Sequence, residues 1–474
     1  MSRLNHNLTR HRVIDPIEYN SNTELISSKE YTRKTTGESY RVINLIPQSD
    51  RDGLKTDELN PSSLAVYRSV IIRNNHLLSV APPKRISTQK FIEKYSLGRR
   101  NGEVGGGSDG GHVGTIYVNE IIEGTMINLF FDSKIGDWEI ATKSAVGGNY
   151  CYFRTQYPEI GVNCIEMTFR NMFLEACIPN HDDRPEIGFG DWTSYLDRDL
   201  VYSFVLQHPL NHIVGWIDSP KVYLVSVFRK HANKKPIEKK EKEEILVSRM
   251  TLEENVEEEM EEIENVIEYI SPLEYESWEM FSHIPIYFPK WIPFQGNDEG
   301  NGNEYYSELM HGMSNRGFAY PGVMITELTT GDRCRIDNPE YLRALEVRGN
   351  HPNMQYHYLD MLKKNGIAEF LAYFPMYYDI FSRFYMQLSI FVHNVHQAYV
   401  DRYILKVVVE GCVPKKYAPH VWRLHHQVYL PRVMETGRGM VVGHTIGRFV
   451  VRNEIVWEYI MGLKVSEIMI YLNM

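Results

Sequence analysis

Through the first two thirds of this chain, short strand-like runs of β-branched and apolar residues are separated by polar turns and loops. That pattern predicts strands rather than helices. In the otherwise polar residues 1–60, the run Tyr40-Arg41-Val42-Ile43-Asn44-Leu45 is strand-like. The stretch "SLAVYRSVIIRNNHLLSVAPPKR" predicts two strands joined at Asn74-Asn75, a polar dipeptide between β-branched runs. "TMINLFFD" and "WEIATKSAVGG" predict another pair, turned at Lys134–Asp137, and "VYSFVLQHP", "KVYLVSVFRK" and "GFAYPGVMITE" one strand each. Helical spacing enters at "IEMTFRNMFLEACI", where Ile165, Phe169, Met172, Phe173 and Ala176 share a face. "DRCRIDNPEYLRAL" predicts a strand leading into a helix. From Pro339 onward the pattern is helical, with an aromatic stripe of Phe370, Phe374, Phe381 and Phe384. The expected fold class is α+β over residues 1–338, followed by an all-α C-terminal domain over 339–474.

Two stretches break this order. Residues 101–114, "NGEVGGGSDGGHVG", form a glycine-rich loop without the Gly-Lys-Ser/Thr ending of a phosphate loop, so a linker or lid is expected. Lys230 to Glu268 is a basic run followed by "EENVEEEMEEIENVIEYI", with nine glutamates between Glu253 and Glu268. Such a run supplies no wide apolar face, which predicts an exposed helix or a disordered insertion, placed at about 232–303 with the loop "GNDEGNGN".

Composition narrows the picture modestly. At 474 residues and 43% hydrophobic the chain can bury two or three cores. No run approaches 18 uninterrupted apolar residues, and the first residues lack an apolar signal core, so neither a membrane span nor secretion is expected. Cys151, Cys164, Cys177, Cys334 and Cys412 are widely spaced, as suits reduced thiols in a cytoplasmic setting and not a structural zinc site. The net charge of −10 is uneven: residues 230–268 hold 7 Lys/Arg and 13 Asp/Glu, whereas residues 335–474 hold 16 and 12 with eight histidines. That mildly basic end is compatible with RNA contact, and equally with an ordinary solvated surface. His420, His425 and His426 lack the spaced partners of a zinc motif and read as helix-surface or core residues.

Taken in order, these segments resemble the phage-type RNA ligases of the covalent nucleotidyltransferase superfamily, including the divergent RNA-ligase-like proteins of large cytoplasmic DNA viruses. "IIEGTMINLFFD" stands where the family has Lys-x-Asp-Gly, with Ile121 at the nucleophile's position. "ATKSAVGG" is similar to the family's next strand and places Lys143. "VYSFVLQHPLNHIV" resembles Phe-Glu-Phe-Val-x-Pro-x-Asn-x-Ile-Val, with Phe204 as the aromatic lining the nucleoside pocket. "YPGVMI" stands where the family has Glu-Gly-Tyr/Val-Val, and "RCRI" replaces the closing Lys-x-Lys by Arg333 and Arg335. The leading strand pair places Arg68 and Lys84 (or Lys90) toward the nucleotide. The resemblance implies antiparallel sheets of the ligase type, ATP-grasp-like, with ATP and Mg2+ as substrate and cofactor. It also implies RNA as partner, contacted in part through the helical domain, in a host cytoplasm or virion.

The substitutions separate binding from chemistry. The family reaction needs a lysine amine to attack the α-phosphate of ATP, and isoleucine has no lone pair to offer. Glu123 keeps a carboxylate for ribose or metal, Gly124 keeps the turn, and Pro321 removes an oxygen ligand that magnesium would use. Arg333 and Arg335 can still hold phosphate through their planar forks, or pair with carboxylates near Asp332 and Asp337. The expectation is a protein that binds nucleotide or RNA without self-adenylylation. Two alternatives stay open: a ligase using a displaced lysine (Lys84, Lys143) or pre-adenylylated ends, and a virion-associated scaffold. Each residue also has a plainer reading: Glu123-Gly124-Thr125 as a hairpin turn, Phe204 as core, Lys143 as a solvated strand residue.

Overall fold

The computed structural model describes residues 11–14, 26–33, 37–45, 67–74, 76–95, 116–151, 167–178, 188–236, 261–292, 309, 311–313, 315–328, 331–408, 412–438 and 449–473. The chain divides into two compact units, the first running to Glu346 and the second comprising Val347–Met474. The glycine-rich loop 101–114, most of the acidic run and the "GNDEGNGN" loop lie outside the described residues, as do Ile165 and Asn75.

Among the described residues the first unit holds thirteen strands. The early ones are β1 (His11–Ile14), β2 (Ile26–Thr32), β3 (Ser39–Leu45), β4 (Ser69–Arg73) and β5 (His76–Val80). Then come β6 (Ile116–Glu120), β7 (Thr125–Asp132), β8 (Asp137–Ala141) and β9 (Leu200–Gln207). The last are β10 (Lys221–Pro236), β11 (Glu261–Ile270), β12 (Gly322–Glu327) and β13 (Arg333–Asp337). They form a six-stranded sheet in the order β1-β11-β10-β9-β7-β8, a four-stranded sheet β2-β3-β4-β5 and a three-stranded sheet β13-β12-β6. The predicted turns are present: Asn74 takes φ 47°, which asparagine tolerates, and Gly136 takes φ 68° between β7 and β8.

Cross-strand rows explain the layering. Ile127, Phe204 and Leu224 share one row and face a core completed by the helices Phe169–Cys177 and Phe189–Ser194. Thr168 caps the first of these helices by accepting from the Asn171 amide at 3.2 Å. Opposite, the row Phe228, Val201, Phe130 packs against the four-stranded sheet through Tyr40, Val42, Val70 and Val80. A third core of Phe91, Val118, Val323, Ile325, Cys334 and Ile336 lies beneath the three-stranded sheet. Cys151, Cys177 and Cys334 are buried thiols and Cys412 an exposed one.

The predicted insertion at 232–303 is corrected in part. β10 continues to Pro236, and β11, the end of the glutamate-rich run, pairs with it from Pro236↔Glu261 to Val227↔Ile270 while β1 covers its other edge. Ladder bonds to two neighbours outweigh the weak helical preference of a run that carries Ile263, Val266, Ile267 and Ile270. Cross-strand charge helps, since Arg229 and His231 both reach the Glu268 carboxylate at 3.3 Å.

The six-stranded and four-stranded sheets are pinned together by a buried ion pair. The Asp132 carboxylate, fully buried, accepts from Arg73 Nη1 and Nη2 at 2.5 and 2.6 Å and from the Tyr40 hydroxyl at 2.8 Å. Burial pushes the Asp132 carboxyl up, but the Arg73, Tyr40 and Lys134 amide hydrogen bonds outweigh it and hold the carboxyl below its ordinary value. Asp132→Ala strands a buried guanidinium and is expected to cost about 3–5 kcal/mol of unfolding free energy in urea titrations. Because the folded pKa is lowered, the Asp132 contribution is present above the ordinary value of 3.8 and disappears as pH falls through the lower folded value. Acid titration of the mutant should lack that segment of the curve.

The second unit is helical among its described residues. It is built from Met354–Lys364, Ile367–Tyr373, Tyr378–Tyr399, Ala418–Arg423, Leu430–Arg438, Asn453–Gly462 and Val465–Leu472, with π-helical turns at Val400–Ile404 and Leu424–Tyr429. Of the predicted stripe, Phe370, Phe374 and Phe381 are buried and Phe384 packs beside Phe381. His420 is a core histidine, its Nδ1 3.1 Å from the Tyr459 hydroxyl, and His425 stacks on Tyr403. Burial, then Arg423, brings His420 down to about 4; burial and Arg348 do the same to His357. Both folded values lie below the ordinary 6.5, so the unfolded chain takes up protons first and stability falls as pH drops from about 6.5 to about 4. Thermal melts across that window should show the decline, and His420→Phe should reduce its slope.

Candidate functional site

The corner that the sequence singled out, Ile121 to Thr125, joins the three-stranded and six-stranded sheets between β6 and β7. It is held by hydrogen bonds to three other singled-out stretches. The Glu123 carboxylate, 9% exposed, accepts the backbone amides of Ile213 and Val214 at 2.9 Å and of Gly215 at 3.3 Å. Asn211 Nδ2 donates to Thr125 Oγ1 at 2.7 Å, and Gln207 Nε2 to the Glu123 carbonyl at 3.0 Å. These partners lie between Gln207 at the end of β9 and Gly215, the "QHPLNHIV" stretch and the glycine after it. The hydroxyl of Tyr341, just past β13, bonds the same carboxylate, and burial with Glu123 raises the Tyr341 pKa. The Ile121 amide donates to the Gly322 carbonyl at 2.9 Å, next to Pro321.

Two glycines are required by close approach. A Cβ on Gly124 would collide with the Leu206 carbonyl oxygen, and one on Gly322 with the Ile336 carbonyl oxygen. Both strands therefore run against the corner with no room for a side chain between.

A cationic group lies at the other end of β13, four residues along from Asp337, which pairs with Gly322 at the corner. Arg333 Nε donates to the Pro83 carbonyl at 2.8 Å, and the Ile86 amide donates to the Arg333 carbonyl at 3.0 Å. Residues 83–88 thus run along the edge of β13, and Arg85, next to Lys84 on that run, acts on Arg333. The bridge Tyr67↔Pro83 brings in Arg68. Burial lowers the Arg333 pKa, the like charges of Arg68 and Arg85 lower it further, and Tyr269 opposes them. Three guanidiniums crowded this way gain from an anion, and phosphate fits their planar forks.

The register places Arg333 and Arg335 on one face of β13, the face opposite the core of Cys334 and Ile336. There the rows run Arg333–Thr326–Tyr117 and Arg335–Met324–Asn119. Arg335 is paired with Asp337, two residues along the same strand, while Asp332 is taken by Lys94 and Tyr95.

Not every candidate joins this group. Phe204 is wholly buried, with its ring against Phe173, Trp192 and Tyr202, so it presents no face for a base. The strand alternation puts Ser203 and Val205 on the other side instead. That side carries the rows Tyr223–Val205–Met126 and Ser226–Ser203–Asn128. The second row is a buried polar line that sequence reasoning missed. Ser203 Oγ donates to Asn128 Oδ1 at 2.8 Å, and the Asn128 amide nitrogen is buried without a hydrogen-bond partner. Three small polar residues at alternate-strand spacing were the available signal.

Lys143 is not on a strand. β8 ends at Ala141, and Lys143 sits exposed in a tight turn closed by the Thr142 amide on the Ala145 carbonyl at 2.8 Å. Glu123 is also differently used, its oxygens being committed to backbone amides. Among the described residues no three His, Cys, Asp or Glu side chains group to hold a metal ion. With Glu123 committed and Pro321 offering no side-chain oxygen, the residues present at this corner do not fit a magnesium site.

No protein-family model and no curated protein matches the chain. Solved structures similar to it are ATP-dependent ligases. A putative ATP-dependent DNA ligase from Aquifex aeolicus is 11% identical over 81% of this chain and 79% of its own, with a TM-score of 0.36. An archaeal ATP-dependent RNA ligase is 10% identical over 87% and 77%, also at 0.36. An RNA ligase from Naegleria gruberi, solved with pyrophosphate, is 9% identical over 67% and 76%, at 0.32. Scores this low add no weight to the assignment of individual residues, which rests on the hydrogen bonds and registers above. No helix among the described residues is long and apolar enough to cross a membrane.

Glu123→Ala removes the acceptor for three amides in a nearly dry site. Charge-assisted hydrogen bonds of this kind contribute about 1.5–3 kcal/mol each way they are broken. The expected outcome is faster amide hydrogen exchange at Ile213, Val214 and Gly215, with a lower melting temperature of the first unit.

Proposed function

We propose that the chain is an RNA-ligase-like nucleotide- and RNA-end-binding protein that holds phosphate on its arginine cluster and does not form a lysyl-AMP intermediate at position 121. The observation that carries this reading is the convergence of the Ile121–Thr125 corner, the exit of β9, Pro321-Gly322 and β13. Four segments scattered over more than two hundred residues, each likened to a motif of the family, meet at one corner. The side chain that must supply a nucleophile there is aliphatic.

In this reading Arg333, with Arg68 and Arg85 acting on it, takes the phosphates. Arginine forks bind them without needing a proton transfer, so affinity survives where chemistry does not. On the side of the sheet opposite Phe204, the partly exposed Met126 and Tyr223 are the groups offered to the nucleoside, with Ser203 and Asn128 buried beside them. The basic excess of residues 335–474 makes the helical part a further surface for RNA.

The test is incubation of the full chain with α-labelled ATP and magnesium, analysed both by equilibrium binding and by denaturing electrophoresis. Reversible binding, weakened at least tenfold by Arg333→Ala and by added salt, with no label surviving denaturation, is expected. A covalent label would overturn the reading, and its mapped position would identify a displaced lysine.

A further inference from the structure

In the helical unit the two π-helical turns meet through their aromatic rings. Val400–Ile404, which follows the long helix Tyr378–Tyr399, carries Tyr403, and Leu424–Tyr429 carries His425 and Tyr429. Tyr403 and His425 lie face to face, their centroids 3.7 Å apart and their planes within 5°. Tyr429 stacks on His425 at 5.3 Å and 19°, and Phe449 follows Tyr429 at 6.2 Å and 35°. The Tyr399 hydroxyl, 3.4 Å from His425 Nδ1, pins the two turns together. An arginine stands over each end of this series: the Arg402 guanidinium is 5.7 Å from the Tyr403 centroid, and that of Arg432 is 5.1 Å from the Phe449 centroid. A second pair joins it at right angles. Trp422 stacks on His426 at 4.5 Å, and His426 meets His425 edge-on at 5.2 Å. His426 Nδ1 donates to the Trp422 carbonyl at 3.0 Å, which fixes that pair.

These rings are not core. Phe370, Phe374 and Phe381 of the same unit are wholly buried, whereas Trp422 is 51% exposed, His426 is exposed, and Tyr403, His425, Tyr429 and Phe449 are half-buried. The charge of the unit gathers on the same segment. Residues 402–432 hold six of the sixteen Lys/Arg of residues 335–474 but only one of the twelve Asp/Glu, Glu410. Of the six, Arg423 is committed to Glu467 at 2.7 Å. Isolated π turns are rare and recur at functional sites, and here two of them present rings to each other.

Resting on the reading that the helical part is a surface for RNA, we propose that Trp422 and the Tyr403–His425–Tyr429 stack bind the unpaired bases of a single strand of nucleic acid, with Arg402 and Arg432 taking its phosphates. Flat, partly exposed rings flanked by cations match bases and phosphates together, since every base has a π-face and stacking tolerates sequence. An anionic membrane would use the same charge together with the exposed Ile404, Leu405 and Val407, but acyl chains gain nothing from rings piled in parallel. The stacked geometry therefore selects bases.

The test uses the full chain with fluorescein-labelled twelve-nucleotide oligouridylate, read by anisotropy, and with phosphatidylserine vesicles, read by co-sedimentation. Trp422→Ala and Tyr403→Ala should each weaken oligonucleotide binding about tenfold, and Trp422→Phe and Tyr403→Phe should restore most of it. Arg432→Gln should reduce the slope of log affinity against log salt by about 0.7. Circular dichroism melts control for folding, which substitution of the exposed Trp422 should leave intact. No binding by the wild-type chain, equal affinity in wild type and Trp422→Ala, or sedimentation with vesicles in place of oligonucleotide binding overturns the proposal. ATP binding and its response to Arg333→Ala, measured on the same preparations, test the nucleotide reading separately. If that response is seen while the ring variants change nothing, the nucleotide reading stands and this surface falls; the reverse result keeps the surface and removes the phosphate site of the first unit.

Discussion

A carboxylate withdrawn from water must find donors or lose its charge, and Glu123 finds its donors in the backbone of residues 213–215. That choice couples distant parts of the first unit. The amides it clasps belong to the loop leaving β9, and the peptide that carries it leaves β6 and enters β7. Tyr341 adds a bond from beyond β13. One side chain thus fixes the angle at which the three-stranded sheet meets the six-stranded one. The arginine face of β13 is positioned by that angle.

Much of this was legible in the sequence because alternation specifies strands locally. β4, β5, β7, β12 and β13 fall within predicted runs, β8 and β9 begin one residue before theirs, and the helix Phe169–Cys177 buries the predicted Met172, Phe173 and Ala176. What alternation lacks is an origin. Within β9 it says that Ser203 and Phe204 face opposite ways, but only the neighbouring rows decide which of them meets the helical core. Phe204 went to the core because Ile127 and Leu224 flank it there. The glutamate-rich β11 was illegible for a related reason: its order comes from a ladder with β10, whose residues precede it by some thirty positions.

The arginine cluster illustrates a different limit. Arg68, Arg85 and Arg333 were individually visible, and two of them were singled out, yet their mutual influence depends on a contact between segments some 250 residues apart. Like-charge proximity of that kind is costly without a compensating anion, so it is informative once seen and invisible before. The same holds for Trp422. Tryptophan in a sequence predicts burial, and only the tertiary structure reveals that this one remains outside.

The corner also clarifies what the absence of a lysine means. Glu123 and Gly124 are constrained by the fold, one through the amides it accepts and the other by the Leu206 carbonyl pressed against it. Their presence therefore says little about catalysis, because replacing either would disturb the joint between sheets. Ile121 is under a different constraint: the hydrogen bond that anchors it is made by its backbone amide to the Gly322 carbonyl, which any residue but proline can supply. A nucleophile at this position could be exchanged for an aliphatic side chain while the scaffold stayed whole. Chemistry and architecture are thus separable two residues apart, and a chain without the lysine keeps the whole corner.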